Sequence, residues 1–294
     1  MASPRIQDDA LEDLLTRRGW LRPPDTVADS ARPEPAAVAY LGPTGRELEA
    51  AVLAYQAFHG LQVDGHPGPV THRSLTARRF CDHPDVMLMG QAGQVCAWDK
   101  RDLTYNFTGR LLSLPLDVMI DALGEAWSYW EDVCGITATW TSSAQADVKM
   151  VAGGIDRAGG TLAWSELPCG SDRPLGQKYD SEEPWGVGQN PGPRRIDLVR
   201  VAAHEIGHVL GLPHLPAGNL LQPTYDQQIR RPQPGDVREV VRRYGQPTTP
   251  PPGPGPGPAP VPGPTPPGSG PRVQVQVVDG SGRWSLDARL EAAP

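Results

Sequence analysis

The sequence predicts an α+β protein, a twisted sheet interleaved with helices and preceded by a small helical domain. Two patterns point there. Between 98 and 245, strand candidates at 103–107, 147–151 and 161–164 bracket an apolar repeat at Leu116, Met119, Ile120, Leu123, Trp127 and Trp130, whose spacing is helical. Upstream, Val52, Tyr55 and Phe58 mark the apolar face of a shorter helix.

The small helical domain is expected over 8–80, where Gly60 ends the Val52 helix and Asp64-Gly65 turns the chain. A linker follows over 81–95, then the α+β domain over 96–245. Its last helix, 236–244, has Asp236 near its start and Gly245 just past its end, as capping chemistry prefers. From 246 to 271 the chain is almost wholly proline, glycine and threonine, which cannot bury a core and favours an extended spacer. The tail, 272–294, alternates over 272–278, turns at Asp279-Gly280 and can return over 283–290 as a hairpin.

A formal charge of −7 and a pI near 5.5 give no cationic face to displace counterions from a phosphate backbone, so nucleic acid is not an expected partner. No stretch approaches the roughly 20 apolar residues needed to cross a bilayer, so no membrane span is expected. Residues 1–9 lack the basic start and apolar run of a secretory signal. Cys81, Cys96, Cys134 and Cys169 match no CxxC pair, which leaves their pairing and redox compartment open.

The segment V-A-A-H-E-I-G-H-V-L-G-L-P-H, 201–214, carries the chemistry. On a helix of 3.6 residues per turn, His204 and His208 project from one face and can chelate one ion. Glu205 falls on the flank of that face, within reach of a bound water but displaced from ligation. Gly211 can take the left-handed conformation that ends the helix and brings back His214. Three imidazoles leave a fourth tetrahedral position open, the arrangement of a catalytic zinc.

The spacing HExxHxxGxxH is the metzincin signature, and the chain resembles the matrixins, or matrix metalloproteinases, over most of its length. W-D-K-R-D-L-T-Y at 98–105 resembles the family's opening strand, Ala146-Asp147-Val148 an inner strand, and Gly159-Gly160-Thr161-Leu162-Ala163 the edge strand that binds peptide. Pro223-Thr224-Tyr225 resembles the wall of its specificity pocket. The resemblance implies a zinc endopeptidase acting on proteins or peptides. His204, His208 and His214 would hold zinc, Glu205 would be the general base, and Ala163 and Tyr225 would contact substrate. It also implies an extracellular location, although no signal peptide is visible.

R-F-C-D-H-P-D at 79–85 resembles the cysteine switch, which implies Cys81 as a zinc ligand in a latent state. Phe80 stands at the family's arginine and Asp82 at its glycine, so a looser clamp is expected. Y-D-S-E-E-P-W at 179–185 resembles the calcium segment, with Asp156, Asp180 and Glu183 as oxygen ligands. Trp164 and Lys178 stand where the family's second zinc takes histidines, so that site is expected to be lost. Leu221 stands at the methionine under the catalytic metal. Residues 52–71 resemble a peptidoglycan-binding-type domain at Tyr55-Gln56, Gly60-Leu61, Val63-Asp64-Gly65, Gly68 and Thr71, which implies peptidoglycan as a partner. The competing reading is a cell-wall-binding protein with a degenerate protease domain.

Overall fold

The computed structural model describes residues 8–21, 45–81, 83–85, 96–111, 113–169, 174–247, 272–279 and 282–289. Most of the 81–95 linker and nearly all of the proline-rich spacer lie outside the described residues.

Three helices build the N-terminal part: α1 (Asp8–Arg17), α2 (Gly45–Phe58) and α3 (Pro69–Leu75). Leu11, Leu15, Val52, Tyr55 and Leu75 bury each other at their meeting point. Helix α1 had no counterpart in the sequence reading, since ten residues give too few turns for a clear period. Gly60 has φ +64 and carries the chain out of α2, as expected. Gln56 explains the signature around it. Its side chain is buried, donates to Asp64 at 2.8 Å, and accepts from the N–H groups of Asp64 and Gly65 at 3.0 and 2.9 Å. The Tyr-Gln and Asp-Gly elements therefore serve the fold itself.

The larger part holds a five-stranded sheet in the order β2-β1-β3-β5-β4, formed by β1 (Asp102–Thr108), β2 (Thr137–Trp140), β3 (Val148–Gly153), β4 (Ala163–Ser165) and β5 (Leu175–Asp180). Neighbours run parallel except β4, which pairs antiparallel with β5 at the edge. Val148 and Met150 are buried on β3, as are Leu175, Gln177 and Tyr179 on β5, the alternation a sheet needs to cover a core. Two short strands, β6 (Trp185–Gly186) and β7 (Ile196–Asp197), pair separately.

Helix α4 (Leu116–Glu131) buries Met119, Ala122, Leu123, Ala126, Trp127, Tyr129 and Trp130. Leu116, read from the sequence as core, is the first residue of the helix and is 52% exposed. Helix α5 (Leu198–Val209) is buried at every position. Trp130 Nε1 donates to the Ala203 carbonyl at 2.8 Å and joins the two helices. At the end of α5, Trp98 Nε1 and the Tyr244 hydroxyl donate to the carbonyls of Val209 and Leu210, each at 2.9 Å, satisfying acceptors that a helix terminus leaves unpaired. Helix α6 (Pro234–Tyr244) ends at Gly245. In the tail, β8 (Arg272–Asp279) and β9 (Gly282–Arg289) form an antiparallel hairpin, the expected element.

Candidate metal centre

Helix α5 begins where the Asp197 side chain accepts the Val199 N–H at 3.2 Å, and its register sets His204 and His208 one turn apart. Gly211, at φ +86, then turns the chain. A Cβ there would run into the Cys96 carbonyl, so only glycine permits the turn that delivers His214.

The three histidines are buried, and each has its Nδ1 committed to a backbone carbonyl. His204 meets Leu220 at 2.8 Å, His208 meets Leu212 at 2.8 Å, and His214 meets Pro84 at 2.9 Å. Donation from Nδ1 fixes the tautomer and leaves Nε2 with its lone pair for a metal. The third ligand is thus oriented by a carbonyl far upstream. Burial lowers His204 to about 3 and takes His208 and His214 well below 6.5, so all three stay neutral at physiological pH.

Cys81 Sγ lies 3.7, 3.4 and 3.3 Å from Nε2 of His204, His208 and His214, and the first two nitrogens are 3.2 Å apart. A tetrahedral zinc with bonds of about 2.0–2.1 Å to nitrogen and 2.3 Å to sulfur needs edges of about 3.3 and 3.6 Å. The donor set fits that ion. Among the described residues, this is the one cluster of histidine, cysteine and carboxylate atoms close enough to hold a metal.

Leu221 and Glu205 border the centre. A Cβ on Gly207 would stand 2.7 Å from Leu221 Cδ2, so α5 rides closely on that leucine. The turn carrying Leu221 is tied from α6, where the Asp236 carboxylate accepts the N–H groups of Leu220 and Leu221 at 2.8 and 3.1 Å. The sequence marked Asp236 only as a helix cap, because a cap is local and this anchor is not. Glu205 is wholly buried beside the ligands and outside their cluster. Burial lifts its carboxyl to about 8, against a lowering hydrogen bond from Ser165. A dication on the adjacent imidazoles favours the ionised form.

Cys81 arrives on an extended segment that fills the cleft. Tyr225 N–H donates to the Arg78 carbonyl at 3.1 Å, Phe80 N–H to Pro223 at 3.0 Å, and Ala163 N–H to Phe80 at 3.1 Å. The segment thus lies between β4 and the 223–225 wall, with the Phe80 ring stacked 4.2 Å from His204 and edge-on to Tyr225 at 5.1 Å.

The matrixin family model matches residues 97–245, half of the chain. The chain belongs to the matrixin family. A second model, for a peptidoglycan binding domain, matches residues 9–75 of this matrixin. Similar relatives include human stromelysin-3, 34% identical over 51% of this chain and 32% of the relative. Horse interstitial collagenase is 31% identical over 66% and 42%, and Xenopus laevis matrix metalloproteinase-18 is 30% identical over 71% and 47%. The matrixin spans less than half the length of these curated relatives. Membership implies zinc at the histidine cluster.

The segment around Cys81 carries contacts that the sequence reading did not foresee. Arg79, two residues before the cysteine, supplies the missing guanidinium, with NH1 2.6 Å from the Asp85 carboxylate and NH2 2.6 Å from the His83 carbonyl. Asp85 is buried and also receives Trp20 Nε1 at 2.9 Å and His59 Nε2 at 3.0 Å. The one-residue shift is absorbed because the side chain of Arg79, rather than its backbone position, reaches the acid.

The three acidic residues lie in one loop system without converging as a cluster. Asp156 accepts the Thr161 N–H at 3.0 Å, Asp180 accepts the Glu182 N–H at 3.0 Å, and Glu183 accepts the Gly159 N–H at 2.7 Å and pairs with Arg78. Trp164 and Lys178 face each other across β4 and β5. Cys96 and Cys169 form a disulfide, a pairing the sequence left open, and Cys134 is a buried thiol.

Proposed function

We propose that this matrixin is a zinc-dependent endopeptidase that hydrolyses peptide bonds in proteins and is held latent by Cys81. The observation that carries the reading is the tetrahedral spacing of three imidazole nitrogens and one cysteine sulfur beside a buried glutamate. His204, His208 and His214 would hold the zinc, which when bound would supply Lewis acidity toward a scissile carbonyl and toward water. Glu205 takes the proton from that water and returns it to the leaving amine. Ala163 N–H, Pro223 carbonyl and Tyr225 N–H, now paired with the inhibitory segment, are the groups a peptide strand would use by β-addition. Tyr225 also lines the cleft beside the Phe80 ring.

The function is tested with the full-length Cys81→Ser chain and an unfolded protein substrate. Cleavage that a chelator abolishes and added zinc restores is the expected result. The same variant tests latency. It is expected to exceed the unmodified chain in activity, and a thiol-reactive mercurial should raise the unmodified chain in the same way. Equal activity of the two chains, with both well below the isolated catalytic domain, would assign the block to the N-terminal domain's bulk alone.

The reading extends to calcium at Asp156, Asp180 and Glu183, whose hard oxygens suit it. Arg78 occupies Glu183 while the segment is docked. Millimolar calcium is expected to raise the thermal midpoint by mass action, and more so in Arg78→Ala. No shift in either chain would identify these carboxylates as loop anchors only.

The disulfide supports work in an oxidising, extracellular setting, and no described helix is long and apolar enough to cross a membrane. The match at residues 9–75 supports peptidoglycan as a partner of the N-terminal domain, to be read by pulldown on insoluble peptidoglycan. The intact ligands and base favour an enzyme over a wall-binding protein with a decayed catalytic domain.

A further inference from the structure

Ser165 ends β4, the strand that lines the cleft, and is buried. Its two polar groups serve different partners. The carbonyl accepts from His83 Nε2 at 2.5 Å, a contact of the inhibitory segment. The hydroxyl donates to Glu205 Oε2 at 2.6 Å. Among the described residues no group donates to the other oxygen, Oε1, although Glu205 is wholly buried.

A carboxylate turns easily about its terminal torsion, which has broad, roughly two-fold wells. One strong donor on one oxygen removes that freedom and separates the two oxygens chemically. The main chain of Ser165 is held in register opposite Gln177 of β5, so the hydroxyl is presented from a fixed strand rather than from a mobile loop. We infer that Ser165 is a positioning residue for the hydrolysis, its hydroxyl pinning Glu205 Oε2 so that Oε1 takes the proton from water and returns it to the leaving amine. The inference rests on the endopeptidase reading above. It adds a contact that the HExxHxxGxxH motif does not contain, since Ser165 lies 40 residues upstream of the base. The inhibitory segment does not make the contact, because His83 uses the carbonyl and leaves the hydroxyl to Glu205.

The test uses the zinc-loaded full-length chain carrying Cys81→Ser and an unfolded protein substrate. Ser165→Ala is expected to lower kcat about tenfold, the scale of one charge-assisted hydrogen bond, with KM and bound zinc unchanged. Ser165→Thr, which keeps the hydroxyl, should restore most of the rate. In a Glu205→Ala background, Ser165→Ala should cost nothing further, because the group it positions is gone. An unchanged kcat, or an equal loss in the Glu205→Ala background, would overturn the assignment. If the parent chain cleaves nothing, the endopeptidase reading fails separately. The contact is then read from the carbonyl-13C resonance of the Glu205 carboxyl, identified by its absence in Glu205→Gln. A shift on Ser165→Ala that reverts in Ser165→Thr upholds the contact, and no shift overturns it.

Discussion

Glu205→Ala in the Cys81→Ser chain is expected to lower turnover by about two to four orders of magnitude, the usual contribution of a positioned general base. Bound zinc should stay at its parental stoichiometry. Both expectations follow from the same geometry. The carboxylate lies beside the histidines yet outside the cluster of potential ligand atoms, so it can exchange a proton with water without holding the metal. His204 and His208 keep their orienting carbonyls, from Leu220 and Leu212, when it is removed, since neither contact passes through Glu205. Turnover and metal content measured on one preparation separate the two roles. Loss of zinc together with activity would put Glu205 in the coordination sphere and contradict its assignment as base.

Asp85→Ala is expected to release the inhibitory segment and activate the full-length chain without any change at Cys81. The Asp85 carboxylate gathers Arg79, His59 and Trp20, and its own N–H donates to the Arg18 carbonyl at 2.8 Å. Truncation leaves the Arg79 guanidinium largely buried without a counter-charge, a loss of about 3–5 kcal/mol where one partner of a buried pair is removed. Docking should therefore weaken by roughly two to four orders of magnitude. Activity of the unmodified and Asp85→Ala chains, with limited proteolysis within 78–85, measures the release. Full latency in the variant would show that the Cys81 contact suffices alone.

The same acid gives docking a pH limit. Burial raises the Asp85 pKa, but His59, the Arg79 charge and Trp20 together bring it below its ordinary 3.8. A depressed folded-state pKa means that the stabilisation is fully present above the unfolded value and is lost as pH falls through the folded one. The contribution of Asp85 to docking is accordingly expected to be lost as pH falls below 3.8, read as activity of the full-length chain after acid exposure.

Much of the centre was legible because its geometry is local. His204, Glu205, His208, Gly211 and His214 lie within 11 residues, where helical pitch and one positive φ are enough to bring three nitrogens together. The helix from Leu116 and the strands around it followed from periodicity for the same reason, and the error at Leu116 arose at the helix's first residue, where periodicity does not say whether anything packs over it. Cys81 lies 123 residues from His204 and could be proposed only through resemblance to a family. Its approach was decided by the fold, which lets Arg79 reach Asp85 across the shifted register.

The remaining contacts belong to tertiary structure alone. Pro84 orients His214, Asp236 holds the turn beneath α5, Ser165 grips the base, and Arg78 pairs with Glu183. In each pair the partners are separated by many residues, and either member alone reads as an ordinary proline, cap, strand residue or surface cation. Sequence by itself picked out the histidine cluster, the glutamate beside it and the element types, because those depend on dihedral preferences and on spacing along one helix. Tertiary structure decided what orients each of those groups and what occupies the cleft, because chain segments distant in sequence meet only when the core brings them together.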